Sequence, residues 1–335
     1  MSVLDVIIVG AGPSGLATAI AAGQRGLEYA LLERGVLVNS IFRFPTNMVF
    51  FTTPELLEIG GIPFVSPNEK PTRNEALRYY RRVADALGVK VEFGQEVSRV
   101  HVVSTGPGGS VFEVTSRGRD GEETRQARAV VMAVGYYDHA NLIGVRGEDL
   151  PHVSHYYTDA HACFRKHVVV VGGSNSAAEA ALELYRNGAA RVTLVHRRSE
   201  LSRTIKYWVL PDIENRIKEG SIQARFDARV CEITRECVVI ERDGVREGLR
   251  ADVVFLLTGY RADQDLLQRA GVRLDPASHT PEHDPDTLET NVPDLFLAGG
   301  VVSGRDTVPV FIENGRLHGE RAVRVIAERL PGRRP

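Results

Sequence analysis

Apolar residues in this chain gather in short continuous runs that stop at glycine, and two of these runs open into the same pattern. Val6–Val9 leads into Gly10-Ala-Gly12-Pro-Ser-Gly15 and then an Ala- and Leu-rich stretch. Val168–Val171 leads into Gly172-Gly-Ser174-Asn-Ser-Ala177 and another Ala-rich stretch. A continuous apolar run bounded by turn residues predicts a strand buried on both faces, and a long Ala-rich segment after it predicts a helix packed on that strand. Second strands are predicted at Tyr29–Leu32 and Val192–Val195. Others are predicted at Val89–Phe93, and at Val97–Val103 and Val111–Thr115, which form a β-meander around Gly106-Pro-Gly-Gly109. Ala129–Ala133 ends at Val134-Gly135-Tyr136, and Val253–Leu257 ends at Thr258-Gly259-Tyr260. The last strand, Leu295–Ala298, runs into Gly299-Gly300, and a final helix is expected to open near Pro309 and continue through Ile312–Ala327.

This order predicts an α/β fold with two Rossmann-like dinucleotide-binding domains of the three-layer ββα kind, the second inserted in the first. The two strand ends that carry Gly-Tyr bracket the second unit. They mark where the chain leaves and re-enters the first domain, and their glycines are candidate hinges. The domains are expected at residues 1–139 with 261–335, and at 140–260.

The two turns carry the candidate chemistry. In the first, Gly10 permits the tight turn, Gly12 lets backbone approach a pyrophosphate, and Gly15 lets the helix pack close to the strand. Pro13 sits just inside the helix, where its missing N–H costs nothing. Glu33 ends the next strand, where an acid bonds ribose hydroxyls. In the second turn Ser174 stands where a second glycine is usual. The following strand ends not in an acid but in His196-Arg197-Arg198, with Arg203 close behind. An acid would repel a 2′-phosphate, whereas arginines bind it with charge-assisted hydrogen bonds, so this site is expected to prefer NADPH to NADH.

The bulk numbers narrow the class. The chain has 335 residues, more than one typical core, with 43% hydrophobic and 25% charged residues. A net charge of −2 gives no sign of a nucleic-acid or anionic-membrane partner. No run approaches the ~18 apolar residues of a membrane span, and no signal peptide is recognised. Three cysteines, Cys163, Cys231 and Cys237, form no CxxC pair, so a reducing cytoplasmic location is expected. His101, His152, His155 and His161 lack metal-site spacing with Cys or acids, so no metal is expected.

The first turn, the His196-Arg-Arg198 stretch, the two Gly-Tyr strand ends and Thr290-Asn-Val-Pro-Asp-Leu-Phe-Leu-Ala-Gly299 together resemble the small, thioredoxin-reductase-like flavoprotein disulfide reductases. The likeness spans essentially the whole chain. Where thioredoxin reductase carries CxxC, this chain reads His155-Tyr-Tyr-Thr158, and Gly300 replaces the usual acid after the last strand. The chain is more similar to the bacillithiol disulfide reductase family. Arg43-Phe-Pro-Thr-Asn-Met-Val-Phe-Phe51, Glu58-Ile-Gly-Gly-Ile-Pro63, Lys70-Pro-Thr-Arg73 with Tyr79-Tyr-Arg81, Ile205-Lys-Tyr-Trp-Val-Leu-Pro211 and Phe311-Ile-Glu-Asn-Gly-Arg-Leu-His-Gly319 carry that likeness.

The resemblance implies an oxidoreductase that uses FAD and NADPH to reduce the disulfide of bacillithiol, without a CxxC relay, as a homodimer. It implies FAD contacts at Gly10, Gly12, Pro13, Ser14, Gly15, Glu33, Asn47, Met48, Gly135, Gly299, Phe311 and Ile312. The NADPH contacts are expected at Gly172, Gly173, Ser174, Asn175, Ser176, His196, Arg197, Arg198, Arg203 and Gly259. N–H groups at the start of the last helix are expected to face the flavin and favour negative charge there. Ser14 is the one catalytic candidate: family members carry a cysteine at this place, and serine forms no mixed disulfide. Arg73 and Arg81 are weighed as carboxylate contacts against solvated helix arginines. Two other readings remain open at this point, a ferredoxin- or flavodoxin-NADP reductase and a non-enzymatic redox-sensing flavoprotein.

Overall fold

In the computed structural model, residues 3–106, 109–306 and 310–330 are described. The chain divides into two compact units. The first comprises residues 1–44, 48–139 and 260–335, and the second 45–47 and 140–259.

The first unit is built on one sheet whose central strand, Leu4–Val9, is apolar on both faces. Strand order across the sheet is Glu92–Phe93, Tyr29–Glu33, Leu4–Val9, Gly121–Met132, Gly109–Gly118 and Glu96–Gly106, with Leu295–Leu297 also pairing with Gly121–Met132. The Gly121–Met132 strand serves two arrangements. Its first half pairs antiparallel with Gly109–Gly118, from Gly118↔Gly121 to Phe112↔Ala127. Its second half pairs parallel with Leu4–Val9 and with Leu295–Leu297.

The strand period of two sends alternate side chains to opposite faces. Val6, Ile8, Leu31, Val131 and Phe296 pack on the helices Pro13–Gln24, Arg73–Ala86 and His318–Arg329. Ile7, Leu32, Val130, Met132 and Leu297 pack on the meander residues Val100, Phe112 and Val114. Helices, parallel sheet and antiparallel meander are therefore three layers.

The second unit repeats the plan. Its parallel sheet runs Gln223–Arg225, Arg191–Val195, His167–Val171, Val253–Leu256 and Val153–Ser154. Val168, Val170, Val192 and Leu194 face the helices Asn175–Arg186 and Leu210–Lys218, while Val169, Val195, Val254 and Leu256 face Ile233, Val238, Ile240 and Leu249. Those last residues come from a three-stranded antiparallel sheet, Arg229–Ile233, Cys237–Arg242 and Val245–Arg250, which the sequence pattern did not predict. No helix among the described residues is long and apolar enough to cross a membrane.

Three other sequence expectations change. The strand expected at Val89–Phe93 shrinks to Glu92–Phe93, because Val89 N–H closes the preceding helix on the Ala84 carbonyl at 2.9 Å. The predicted turn Gly106-Pro-Gly-Gly109 joins strands longer than expected, and residues 107 and 108 lie outside the described residues. The last helix divides into Ile312–Gly315 and His318–Arg329, while Pro309, where it was expected to open, also lies outside the described residues. Between the two pieces Leu317 N–H reaches back only to the Asn314 carbonyl, at 3.1 Å.

The C-terminal helix lies close against Pro13–Gln24. A Cβ on Gly319 would come within 2.7 Å of Thr18 Cα and 2.8 Å of its amide nitrogen. Alanine normally gains ~1 kcal/mol over glycine within a helix, but here backbone stands in the way, and overpacking costs ~1–3 kcal/mol. Gly319→Ala is therefore expected to lower stability, with a lower urea midpoint at unchanged denaturant slope. A midpoint at or above wild type would show that the helices separate without cost.

Candidate functional site

In the first unit, Gly10 adopts φ +100°, and a Cβ there would lie 2.6 Å from the Ala133 carbonyl oxygen. A Cβ on Gly15 would collide with the Gly10 carbonyl. Both positions therefore require glycine for the chain to turn from strand into helix. At Gly12 a Cβ would meet no protein atom within 4 Å. No side chain caps the helix that starts at Pro13. Unclaimed first-turn N–H groups beside open backbone suit a pyrophosphate, so the residues fit a dinucleotide.

Glu33 is buried, and its oxygens accept from Ala11 N–H and Gly35 N–H, each at 2.7 Å. Burial raises its pKa, and the two N–H bonds oppose that shift. Glu33 therefore ties its strand end to the Gly10 turn, and each oxygen keeps a second lone pair for a ribose hydroxyl. Beside it, Arg34 and Arg43 both bond Asp138, at 2.8 and 2.7 Å.

Ser14, on the first turn of the helix, is packed by glycines. A Cβ on Gly299 would collide with Ser14 Oγ, and one on Gly315 would lie 3.4 Å from it. Gly299 N–H donates to His318 Nδ1 at 3.2 Å. His318 is buried, and burial, with the charges of Arg321 and His283, pushes its pKa down to about 4. His318 falls within the family-like stretch Phe311–Gly319, and sequence alone gives it no role. Its one usable signal was the four-residue spacing of Gly315 and Gly319, which marks a close helix approach.

Tyr136 covers Gly300, and burial followed by the charge of Glu313 raises its pKa. Glu313 is half-buried, and its own pKa is raised by burial. Phe311 N–H is taken by the Asn314 side chain at 2.9 Å, so this N–H, among those expected to face the flavin, is already bonded within the protein. Ile312 and Met48 pack partly buried against the helix-side core, and Gly135 adopts φ +65° at its strand end. Asn47 departs from the sequence picture. It groups with the second unit, where its Nδ2 donates to Glu183 Oε1 at 2.8 Å. Arg73 bonds the Ile41 and Phe42 carbonyls and braces its own neighbourhood, and Arg81 is an exposed helix arginine. Phe50 is buried, while Phe51 is exposed with Lys70 over its ring.

In the second unit, Gly172 adopts φ +153°, and a Cβ there would lie 2.6 Å from the Leu257 carbonyl oxygen. The His196 ring lies directly over Gly173. Burial, then the charges of Arg198 and Arg197, lower the His196 pKa. The imidazole is thus kept neutral beside two exposed guanidiniums, which make no ion pair among the described residues. Ser174 begins the Asn175–Arg186 helix without a side-chain cap, so this turn also fits a phosphate. The Asn175 side chain is engaged with Thr204 and Lys206, and Ser176 follows it in the first turn. Arg203 is exposed beside Glu200, 3.7 Å away. Gly259, at φ +92°, ends the Val253–Leu256 segment, where Asn141 N–H donates to its carbonyl at 2.9 Å.

A family model described as pyridine nucleotide-disulphide oxidoreductase matches residues 7–299, which includes both turns. The chain is 41% identical to bacilliredoxin reductase Bdr of Bacillus subtilis over 325 residues, 96% of this chain and 97% of that one. The chain belongs to the bacillithiol disulfide reductase family of pyridine nucleotide-disulphide oxidoreductases. The solved Bdr (YpdA) of Bacillus cereus aligns with TM-score 0.93 at 41% identity, over 98% of this chain and 100% of that one. That of Staphylococcus aureus aligns with TM-score 0.91 at 35% identity, over 98% and 99%. As a member of this family, the chain is an oxidoreductase that uses FAD and NAD(P)H on two Rossmann-like folds.

His318 gives the site a pH signature. Its pKa lies near 6.5 when unfolded and near 4 when folded, so between these values the unfolded chain binds more protons. Its contribution to stability is complete above pH 6.5 and is lost as pH falls towards 4. The loss is roughly 2 kcal/mol between pH 7 and pH 5. His318→Asn keeps an acceptor for Gly299 N–H and removes the titration. Urea unfolding at both pH values is expected to show wild type losing about that much more than the variant. Equal losses would place the imidazole in a polar setting instead.

Proposed function

We propose that this protein reduces bacillithiol disulfide to bacillithiol with NADPH. The observation that carries this reading is the match, along nearly the whole chain, to proteins described as bacilliredoxin reductase and bacillithiol disulfide reductase. The balanced reaction takes one disulfide, one NADPH and one proton to two thiols and NADP⁺.

In this reading the first unit holds FAD. The Gly10–Gly15 turn lies along the pyrophosphate, Glu33 accepts from the ribose, and Ser14, Gly135, Gly299, Phe311, Ile312 and Met48 line the flavin end. The second unit holds NADPH. The Gly172–Ser176 turn takes its pyrophosphate, and Arg197, Arg198 and Arg203 take the 2′-phosphate. Gly259 borders that turn, and Asn47, expected among the FAD contacts, donates to Glu183 near the far end of the Asn175–Arg186 helix. When bound, FAD supplies two-electron transfer between nicotinamide and disulfide. The neutral His196 keeps Gly173 covered without adding a third cation.

All three cysteines, Cys163, Cys231 and Cys237, fall in the second unit, and none is disulfide-bonded. Cys163 is buried, and burial raises its thiol pKa. The unit assigned to FAD therefore offers no thiol of its own, and the reading requires disulfide reduction without a protein thiol there. Free cysteines fit a reducing compartment, and we assign the protein to the cytoplasm as a homodimer.

The direct test is anaerobic. FAD-loaded protein is reduced with one equivalent of NADPH and then mixed with bacillithiol disulfide. Flavin reoxidation with release of two thiols is expected; a flavin that stays reduced defeats the proposal and favours another acceptor. Ser14→Ala removes only a hydroxyl from a position where no thiol exists, and kcat is expected to stay within about threefold of wild type. A loss of a hundredfold or more would give the hydroxyl a part in the chemistry.

A further inference from the structure

Asn175 opens the helix of the second turn, but its side chain points its bonds elsewhere. Nδ2 donates to the Thr204 carbonyl and Oδ1 accepts from Lys206 N–H, both at 2.9 Å. Ser202 N–H donates to the Gly173 carbonyl at 2.8 Å. The stretch Ser202–Lys206 is thus fastened at three points to the Gly172–Asn175 turn. Lys206 is buried, with Nζ donating to Glu179 Oε1 of the same helix at 2.6 Å, which closes the far end.

Within this stretch the Ser202 and Thr204 hydroxyls bond each other at 2.7 Å, and Thr204 N–H donates to Ser202 Oγ at 3.3 Å. Such a local turn holds the residue between them outward. That residue is Arg203, whose side chain is 88% exposed. Over Gly173 itself lies the His196 ring, followed in sequence by Arg197 and Arg198.

We propose that Asn175 is a positioning residue for nucleotide selectivity: it fixes the Ser202–Thr204 turn so that Arg203 and the two hydroxyls complete, with Arg197 and Arg198, a pocket for the NADPH 2′-phosphate. This deepens the NADPH reading above and rests on it. An arginine on an unfastened loop spends much of its binding energy on ordering the loop and its own rotamers. Fastening the loop beforehand lets the guanidinium and hydroxyls meet the phosphate at little further cost. The task suits Asn, whose amide donates to one backbone group and accepts from another. Asp lacks the donor for the Thr204 carbonyl, and Ala lacks both groups. NADH carries no 2′-phosphate and draws nothing from the pocket, so the clasp acts on the choice between nucleotides.

The test is equilibrium binding to FAD-loaded protein, followed through the single tryptophan, Trp208, which lies beside Lys206. NADPH, NADH and 2′,5′-ADP are titrated into wild type, Asn175→Ala, Arg203→Ala and the double variant. Asn175→Ala is expected to weaken NADPH and 2′,5′-ADP about tenfold while NADH changes less than about threefold. Arg203→Ala is expected to weaken NADPH selectively in wild type and to add little once Asn175 is gone, a coupling that a merely structural residue would not give. Equal weakening of NADPH and NADH, an unchanged ratio, or an Arg203 effect that survives undiminished in Asn175→Ala would overturn the inference. Wild-type protein that binds NADPH no better than NADH is a different result: it overturns the nucleotide reading itself, and this inference with it.

Discussion

The first unit depends on how closely three backbone segments approach one another at positions without side chains. Gly15 lies under the Gly10 carbonyl, Gly299 and Gly315 close on Ser14, and Gly319 lies against Thr18. Each approach leaves no room for a Cβ or brings one to bare contact, so the strand end, the first helix and the C-terminal helix are held at backbone distance. Apolar burial alone does not set such a distance, because it is non-directional and rewards any tight arrangement. The glycines select one. The sheet then follows: Thr18 donates to the Ser14 carbonyl at 2.7 Å, His318 receives Gly299 N–H, and Glu33 draws in Ala11 and Gly35.

The second unit meets the same steric demand with opposite electrostatics. Gly172 turns the chain under the Leu257 carbonyl as Gly10 does under that of Ala133. At the end of the neighbouring strand, however, the first unit places a buried carboxylate and the second a half-buried imidazole. The carboxylate is satisfied by two N–H donors and remains an acceptor. The imidazole, kept neutral by burial between cationic neighbours, leaves Arg197 and Arg198 as the charges of that edge. The two turns thus share one backbone design and differ in the charge set beside them.

Both turns were legible because a run such as Val168–Val171 between polar residues and glycine has few other outcomes. The second unit's antiparallel sheet was not legible. Its strands alternate charged and apolar residues, as in Arg229-Val-Cys-Glu-Ile233, and half-exposed segments of that length resemble surface loops. The divided C-terminal helix was hidden for another reason. Local propensity favours one helix, and only the tertiary demand that both Gly315 and Gly319 touch the first helix favours the tight turn between the pieces. The Asn175 clasp is invisible in sequence because its partners lie about thirty residues away and are backbone groups.

Position 14 shows how packing and chemistry can part company. The side chain there stands between Gly299 and Gly315, so the surroundings accept a small group whether or not it reacts. A thiol and a hydroxyl differ little in length but greatly in chemistry, because only sulfur can exchange with a disulfide. This chain keeps the junction, with its two facing glycines, and places in it a residue that cannot join covalent exchange. Since the first unit has no cysteine, electrons delivered to a disulfide from that unit would have no thiol there to pass through. On the proposed reading, the demand on the protein is then to hold the disulfide and supply its proton rather than to provide a nucleophile. Tyr136, which covers Gly300, has its pKa raised by burial and by the charge of Glu313, whose own pKa is also raised by burial.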